Sequence, residues 1–149
     1  MQEALQIKRL TEGDLPFFRQ LLELFKDVFE MEEPLTATDK HLQQLLQKND
    51  FTVLVAIAGN EVIAGISAYE LAGYYADRSE MFMYDLAVKT SHQRKGIGSR
   101  LISTLKKLAE QKGIKMMFVA ANEEDLHALD FYRSTGGHPE KVVHFNYSV

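Results

Sequence analysis

The run Ser91-His92-Gln93-Arg94-Lys95-Gly96-Ile97-Gly98-Ser99-Arg100-Leu101 places two glycines where an apolar helical pattern begins. A helix start presents unpaired backbone N–H groups and the positive end of the helix dipole. Glycine there lets a ligand come within hydrogen-bonding distance of the backbone, and the ligand that suits such a site is an anion, above all a phosphate. A plain strand-to-helix turn uses the same residues, and the pair alone does not choose between the two. A P-loop would need Gly-Lys-Ser/Thr at its end, whereas Gly98 is followed by Ser99 and Arg100. A dinucleotide fingerprint would need a third glycine where Leu101 stands, near the first strand of the chain.

The elements that must position this loop are legible from periodicity. Leu5–Leu10 alternates as a half-buried strand does. Thr11–Asp14 has capping-box spacing and opens a helix to about Phe29, with Leu15, Phe18, Leu22, Phe25 and Phe29 on one side. A second helix is expected over Asp39–Lys48. Phe51–Ala58 and Glu61–Leu71 form a hairpin around Gly59-Asn60. After the loop Ala72–Ser79 comes a strand over Glu80–Val88. A helix follows Gly98 and stops at Gly113, with Leu101, Ile102, Leu105, Leu108 and Ala109 inward. Ile114–Ala121 reads as a buried strand, Asp125–Gly137 as a short helix and Val142–Val149 as a closing strand. The order β-α-α-β-β-β-α-β-α-β predicts an α/β fold with a mixed sheet and helices on both faces.

The 149 residues suit one domain, 1–149, with no repeat or linker. A net charge of −4 disfavours a general nucleic-acid binder and is compatible with a cationic small-molecule partner, although mild acidity also serves solubility. No apolar run approaches the ~20 residues needed to span a bilayer, and no secretory signal is visible, so no membrane partner is expected. With no cysteine, disulfides, thiolate metal sites and thiol nucleophiles are excluded, which fits a cytoplasmic protein. The five histidines, His41, His92, His127, His138 and His144, show no zinc-type spacing, so no metal is expected. The pairs Met81/Met83 and Met116/Met117 read as core filler.

Gln93-Arg94-Lys95-Gly96-Ile97-Gly98 resembles the Gln/Arg-x-x-Gly-x-Gly/Ala signature of the GCN5-related N-acetyltransferases. The "DLAV" strand before it and "ALDFYRSTGG" after it resemble that family's other landmarks. Together with the terminal "VVHF", they are similar to the small aminoglycoside 3-N-acetyltransferases of the superfamily. The resemblance covers nearly the whole chain in element order and departs in the N-terminal helices and in "ANEEDLH". It implies a mainly antiparallel central sheet, acetyl-coenzyme A as cosubstrate, direct acetyl transfer to a primary amine, first of all the 3-amino group of an aminoglycoside, and a homodimer. Rival readings are the same chemistry on a polyamine, another small amine or a peptide or protein amine, and a non-catalytic coenzyme A-binding regulatory domain.

By this resemblance the cofactor's pyrophosphate falls to Gln93, Arg94, Lys95, Gly96, Ile97, Gly98 and Ser99. The backbone of Leu86, Ala87 and Val88 takes the pantetheine arm, which adds to the sheet like a short strand. Asn122 is a further cofactor candidate, though turn capping explains it equally well. The transfer needs a neutral amine and a proton acceptor, for which Asp85 is favoured and Glu80 is the substitute. Plain alternation puts Asp85 on the wrong face unless a bulge re-aims it. Tyr132 resembles the tyrosine that sits near the cofactor sulfur and serves as general acid, or else as a packed aromatic. Tyr84, Glu123, Glu124, Asp125 and His144 are assigned to the acceptor. The carboxylates of Asn122–His127 and of Asp27–Glu33 suit a polyamine or aminoglycoside with several ammonium groups. Helix-dipole complementarity and solvation account for them equally well.

Overall fold

Strands rich in Val, Ile and Ala with short turns between them build the sheet, and amphipathic helices cover it. A computed structural model describes residues 4–149. The strands are β1 (Leu5–Arg9), β2 (Phe51–Ala58), β3 (Glu61–Ala72), β4 (Ser79–Val88) and β5 (Met117–Val119). They hydrogen-bond in the order β1-β2-β3-β4-β5. The first four are mutually antiparallel and β5 runs parallel to β4. The helices are α1 (Leu15–Val28), α2 (Asp39–Gln47), α3 (Ile97–Gln111) and α4 (Leu126–Ser134). The expected mixed, mainly antiparallel sheet with helices on both faces is therefore what forms.

Each face of the sheet holds its own core. Val53, Val55 and Ile57 of β2 pack with Phe18, Leu21, Leu24 and Phe25 of α1 and Leu42 and Leu46 of α2. Leu54, Ala56 and Ile66 pack on the other side with Leu101, Ile102 and Leu105 of α3. Alternation along one strand feeding two cores is the period-2 rule at work. The inward stripe of α1 is rotated from the sequence expectation: Leu21 and Leu24 are buried, while Phe29 is 42% exposed. Gly65 on β3 explains the seating of Leu21. A Cβ on Gly65 would lie 2.3 Å from a Leu21 methyl carbon, so the glycine admits that side chain against the strand.

The local signals acted as their chemistry dictates. The Asp14 carboxylate accepts from the Thr11 N–H at 2.8 Å, closing the capping box around a 3₁₀ turn before α1. Gly59 supplies positive φ in the β2–β3 turn, and Gly113 does so where α3 ends. Met81 and Met83 are core, but Met116 is 57% exposed, so the second methionine pair is not simply filler.

Two expectations fail at the end of the chain. β5 is shorter than Ile114–Ala121, because β4 supplies only Met81, Phe82 and Met83 as partners before the two strands part. Residues 142–149 form no strand in this chain; they are all exposed and belong to no helix or strand. Their alternation is strand-like, but no neighbour among the described residues receives it. Among the described residues, no helix is long and apolar enough to cross a membrane.

Candidate active site

Two interruptions of regular structure meet on β4. In the pairing of β3 with β4, Ser67 faces Asp85 and the next residue, Ala68, faces Met83, so Tyr84 is an extra residue without a partner. This is a β-bulge, and it changes which side each following residue faces. Met83 and Leu86, three residues apart, both pack on the α3 face, whereas Ala87 packs on the α1 face. Where the bulge begins, β5 stops pairing. The stretch Tyr84–Val88 thus borders a splay with no β5 partner, and a short extended ligand fits there as a strand would. Leu86, Ala87 and Val88 lie on this wall, with Leu86 and Val88 packed against the α3 core.

The loop beyond Val88 leads to the helix start. A 3₁₀ turn spans Thr90–His92, and the Gln93 side-chain amide donates to the Val88 carbonyl at 3.0 Å. Arg94 and Gly96 both have positive φ, +62° and +78°. Residues in this region turn successive N–H groups toward one side, which makes an anion-binding concavity. The first α3 hydrogen bond runs from the Arg100 N–H to the Gly96 carbonyl at 3.1 Å. The N–H groups of Gly96, Ile97, Gly98 and Ser99 therefore precede the helical ladder and remain for a ligand. A Cβ on Gly96 would meet nothing within 4 Å, so the space before the helix is open. The chain thus offers a donor cradle that fits a pyrophosphate. Arg94, Lys95 and Ser99 are exposed beside it.

Gly98 has a different reason to be glycine. It is buried, and a Cβ there would lie 2.9 Å from Phe131 Cζ. Its missing side chain lets α4 close on the start of α3, although its N–H still belongs to the cradle. Reading both glycines as phosphate approach misses this contact. Phe131 in "ALDFY" is the available signal, but nothing local links it to Gly98.

Asp85 sits at the mouth of the splay, partly buried. Burial pushes its carboxyl above the usual carboxylate range, with no hydrogen bond or basic group opposing the shift. Its N–H donates to Ser67 Oγ at 3.3 Å. A half-buried carboxylate without a cation is costly unless it has a task. Tyr132, on α4, packs against the α3 core, and its hydroxyl is pushed up by burial, then by the charges of Asp125 and Asp85. Tyr69, on the α1 face, is likewise pushed up by burial, then by Tyr84 and Asp85. Asp85 is thus felt from both faces of the sheet, which a residue at the bulge of a parting strand can achieve. Glu80 is exposed and lies five residues back along β4, roughly 17 Å at ~3.4 Å per residue. The geometry brings Asp85, not Glu80, to the splay.

The assigned acceptor residues divide. Tyr84, 58% exposed, joins an aromatic row that the sequence reading does not anticipate. Tyr69–Tyr84 and Tyr84–Phe82 meet edge-on at 5.6 and 5.7 Å between centroids, and Phe82 stacks on Phe118 of β5 at 4.8 Å. The i, i+2 spacing of Phe82 and Tyr84 is the signal for it. Asp125 is the N-cap of α4, its carboxylate accepting from the Ala128 N–H at 3.0 Å, and Asn122 accepts from the Glu124 N–H at 3.0 Å. Both side chains serve the turn before α4. Glu123 and Glu124 are exposed there, and His144 is exposed on the C-terminal tail, not joined to the others within this chain. A second set of acidic residues, Glu23, Asp27 and Glu30, lines an open hollow at the end of α1 with Lys26 and Met31.

Comparison with known proteins accords with this geometry. A profile of the Acetyltransferase (GNAT) family matches residues 18–136. An aminoglycoside acetyltransferase, meta-AAC0020 from an uncultured soil metagenomic sample, solved in complex with trehalose, is 45% identical with a TM-score of 0.94, covering 97% of this chain and 96% of its own. The same protein in complex with sisomicin aligns at 44% identity over the same shares. A second soil-metagenomic aminoglycoside acetyltransferase, HMB0005, is 32% identical with a TM-score of 0.93, over 98% of this chain and 99% of its own. An uncharacterized N-acetyltransferase, YhfO of Bacillus subtilis (strain 168), is 21% identical over 89% of each chain. A family profile across most of the chain and relatives this similar over nearly their whole length establish that the chain belongs to the GNAT family of acetyltransferases.

Proposed function

We propose that the chain acts as one domain, 1–149, that moves the acetyl group of acetyl-coenzyme A to a primary amine of an aminoglycoside. The resemblance of its motifs to the small 3-N-acetyltransferases favours the 3-amino group as the site of transfer. The observation that carries this reading is the likeness, at 44% identity over 97% of the chain, to an aminoglycoside acetyltransferase seen with sisomicin. The carboxylates of Glu23, Asp27 and Glu30 and of Glu123 and Glu124 add the charge that a polycationic acceptor needs.

In this reading the cosubstrate supplies an activated acetyl thioester, and the chain's own residues do the rest. The N–H groups of Gly96–Ser99 hold the pyrophosphate, helped by Gln93, Arg94 and Lys95. The backbone of Leu86–Val88 holds the pantetheine along the splay. Holding both reactants together supplies much of the rate, because direct attack then needs no enzyme-bound intermediate. Asp85 anchors the acceptor's ammonium and takes its proton, directly or through water. Tyr132 keeps its proton at neutral pH, since burial and neighbouring charges raise its pKa, and gives it to the departing thiolate.

The test is product analysis. Incubation with acetyl-coenzyme A and sisomicin, followed by NMR of the purified product, should show a single acetamide at the 3-amino position. An acetamide elsewhere on the same molecule would keep the enzyme class and overturn the regiochemistry. Turnover only with polyamines or peptides would overturn the acceptor.

A further inference from the structure

Two polar side chains are buried among the described residues, Thr52 at 3% and Ser67 at 6% exposure. A hydroxyl taken out of water costs free energy unless it is hydrogen-bonded. The Thr52 hydroxyl accepts from the Arg9 guanidinium at 3.4 Å. Ser67 has a different partner. It lies on β3 between Ile66 and Ala68, which both pack in the α3 core, so its own side chain faces the α1 side. Its register partner is Asp85, whose N–H donates to the Ser67 Oγ at 3.3 Å.

This bond falls at the bulge. Ala68 pairs with Met83 and Ser67 with Asp85, which leaves Tyr84 as the extra residue. Met83 packs in the α3 core, whereas Tyr84 meets the ring of Tyr69 on the α1 side. Ala87 is on the α1 side and Leu86 on the α3 side, so alternation returns Asp85 to the α1 side. Two consecutive residues, Tyr84 and Asp85, thus face the same way. Without the extra residue, plain alternation from Met83 would turn Asp85 into the α3 core beside Ile66, where a carboxylate is costly. A bulge disrupts the ladder locally, and the Ser67 hydroxyl supplies β4 with an acceptor at that point.

We propose that Ser67 is a positioning residue for the acetyl transfer: by holding the Asp85 N–H its hydroxyl pins the bulge and keeps the Asp85 carboxylate clear of the α3 core and open to the amine. The proposal rests on the assignment of Asp85 as proton acceptor, and Ser67 acts through Asp85 rather than on a substrate. The ionisable groups that sense Asp85 are Tyr69 of β3 and Tyr132 of α4, and neither is a cation that could hold the carboxylate in place of Ser67. At 6% exposure, water has little access to replace the hydroxyl.

The test compares the full-length wild type with Ser67→Ala, Ser67→Thr, Asp85→Asn and the Ser67→Ala/Asp85→Asn double variant, by turnover of sisomicin and by calorimetric coenzyme A binding. Ser67→Ala should lower kcat/KM for the acceptor at least about tenfold, the scale set by an unsatisfied buried donor, with coenzyme A affinity intact. Ser67→Thr, which keeps the hydroxyl, should recover most of the loss. In the Asp85→Asn background Ser67→Ala should cost nothing further, because residues that act as a unit are not additive. An equal loss in both backgrounds would overturn the proposal, since Ser67 would then act on the fold and not through Asp85. A wild-type rate in Ser67→Ala beside a crippled Asp85→Asn would overturn this proposal alone, whereas a fully active Asp85→Asn would overturn the proton-acceptor assignment and this proposal together. If Ser67→Ala does not fold, Ser67→Cys keeps the size with a weaker acceptor and takes its place. A readout free of turnover is amide hydrogen exchange: the Asp85 N–H should exchange at least about tenfold faster in Ser67→Ala than in wild type, and unchanged protection would overturn the pinning.

Discussion

Replacing Asp85 by asparagine removes one negative charge while keeping size and one acceptor oxygen. Two effects of opposite sign follow from where Asp85 sits. For stability, its pKa in the folded protein is raised by burial, with nothing opposing it. The stability tied to the protonated form is present below the ordinary carboxylate pKa and is lost as pH rises through the raised folded value. Above that raised value the wild type carries an ionised, half-buried carboxylate that opposes folding, and the Asp85→Asn variant does not. On that side of the titration the variant should melt at the same temperature as wild type or higher, and the advantage should vanish in acid. For catalysis, loss of a general base costs about 10²- to 10⁴-fold, which is about 3 to 5 kcal/mol of transition-state stabilisation. The assay is thiol release from acetyl-coenzyme A at saturating cosubstrate, from pH 5 to 10, beside calorimetric coenzyme A binding. Wild type should show an acidic limb above the usual carboxylate range, the variant should lose that limb, and coenzyme A affinity should be nearly unchanged. A folded variant with the wild-type rate at every pH would refute the assignment. A variant markedly less stable at pH 7 would make Asp85 a structural partner instead. If Asp85→Asn is active while Glu80→Gln is dead, the proton-accepting role moves to Glu80 despite its place along β4.

Other expectations follow from neighbouring residues. Gly96→Val places a branched side chain at φ +78° in the open approach to the helix start. Its dissociation constant for coenzyme A, by calorimetry, should rise at least about tenfold, or ~1.4 kcal/mol, because the side chain occupies the ligand's approach; unchanged affinity in a folded variant would remove the cradle from that loop. Gly98→Ala drives a methyl group to 2.9 Å from Phe131. Overpacking of this kind costs about 1–3 kcal/mol in denaturant unfolding, and Phe131→Leu in the same chain should recover part of it. Tyr132→Phe should lower turnover about 10²-fold or more with coenzyme A affinity intact, as loss of a general acid does; a rate within about twofold of wild type would leave Tyr132 as packing. The Michaelis constant for a polycationic acceptor should climb as salt shortens the screening length from ~10 Å at 0.1 M to ~3 Å at 1 M. A constant indifferent to salt would remove the charge argument.

What can be read in advance depends on how local its cause is. Gly96 before a helix is legible because the residue's own backbone freedom is the cause. The positive φ of Arg94 is not, since a non-glycine residue gives no such signal. The bulge at Asp85 can be posed only as a condition, because the slip at Tyr84 arises in the register between β3 and β4. The bulge found there supplies the re-aiming that the condition requires. Gly98 is only half explained by phosphate approach, because its other constraint comes from Phe131, far along the chain. Turn capping, the plainer alternative for Asn122, is what that side chain does here, and Asp125 caps α4 in the same turn. The tail is strand-like in pattern, but it joins no sheet within this chain. Periodicity states which side chains can be buried, not which neighbour buries them.

The most direct measurement of the whole account is thiol release from acetyl-coenzyme A by the purified protein with sisomicin, spermidine and a lysine-containing peptide in parallel. The account predicts rapid, saturable release with sisomicin, with kcat/KM at least about tenfold above the other two, corresponding to ~1.4 kcal/mol of discrimination. Release that is no faster with sisomicin than with no acceptor, from protein that binds coenzyme A, would contradict it.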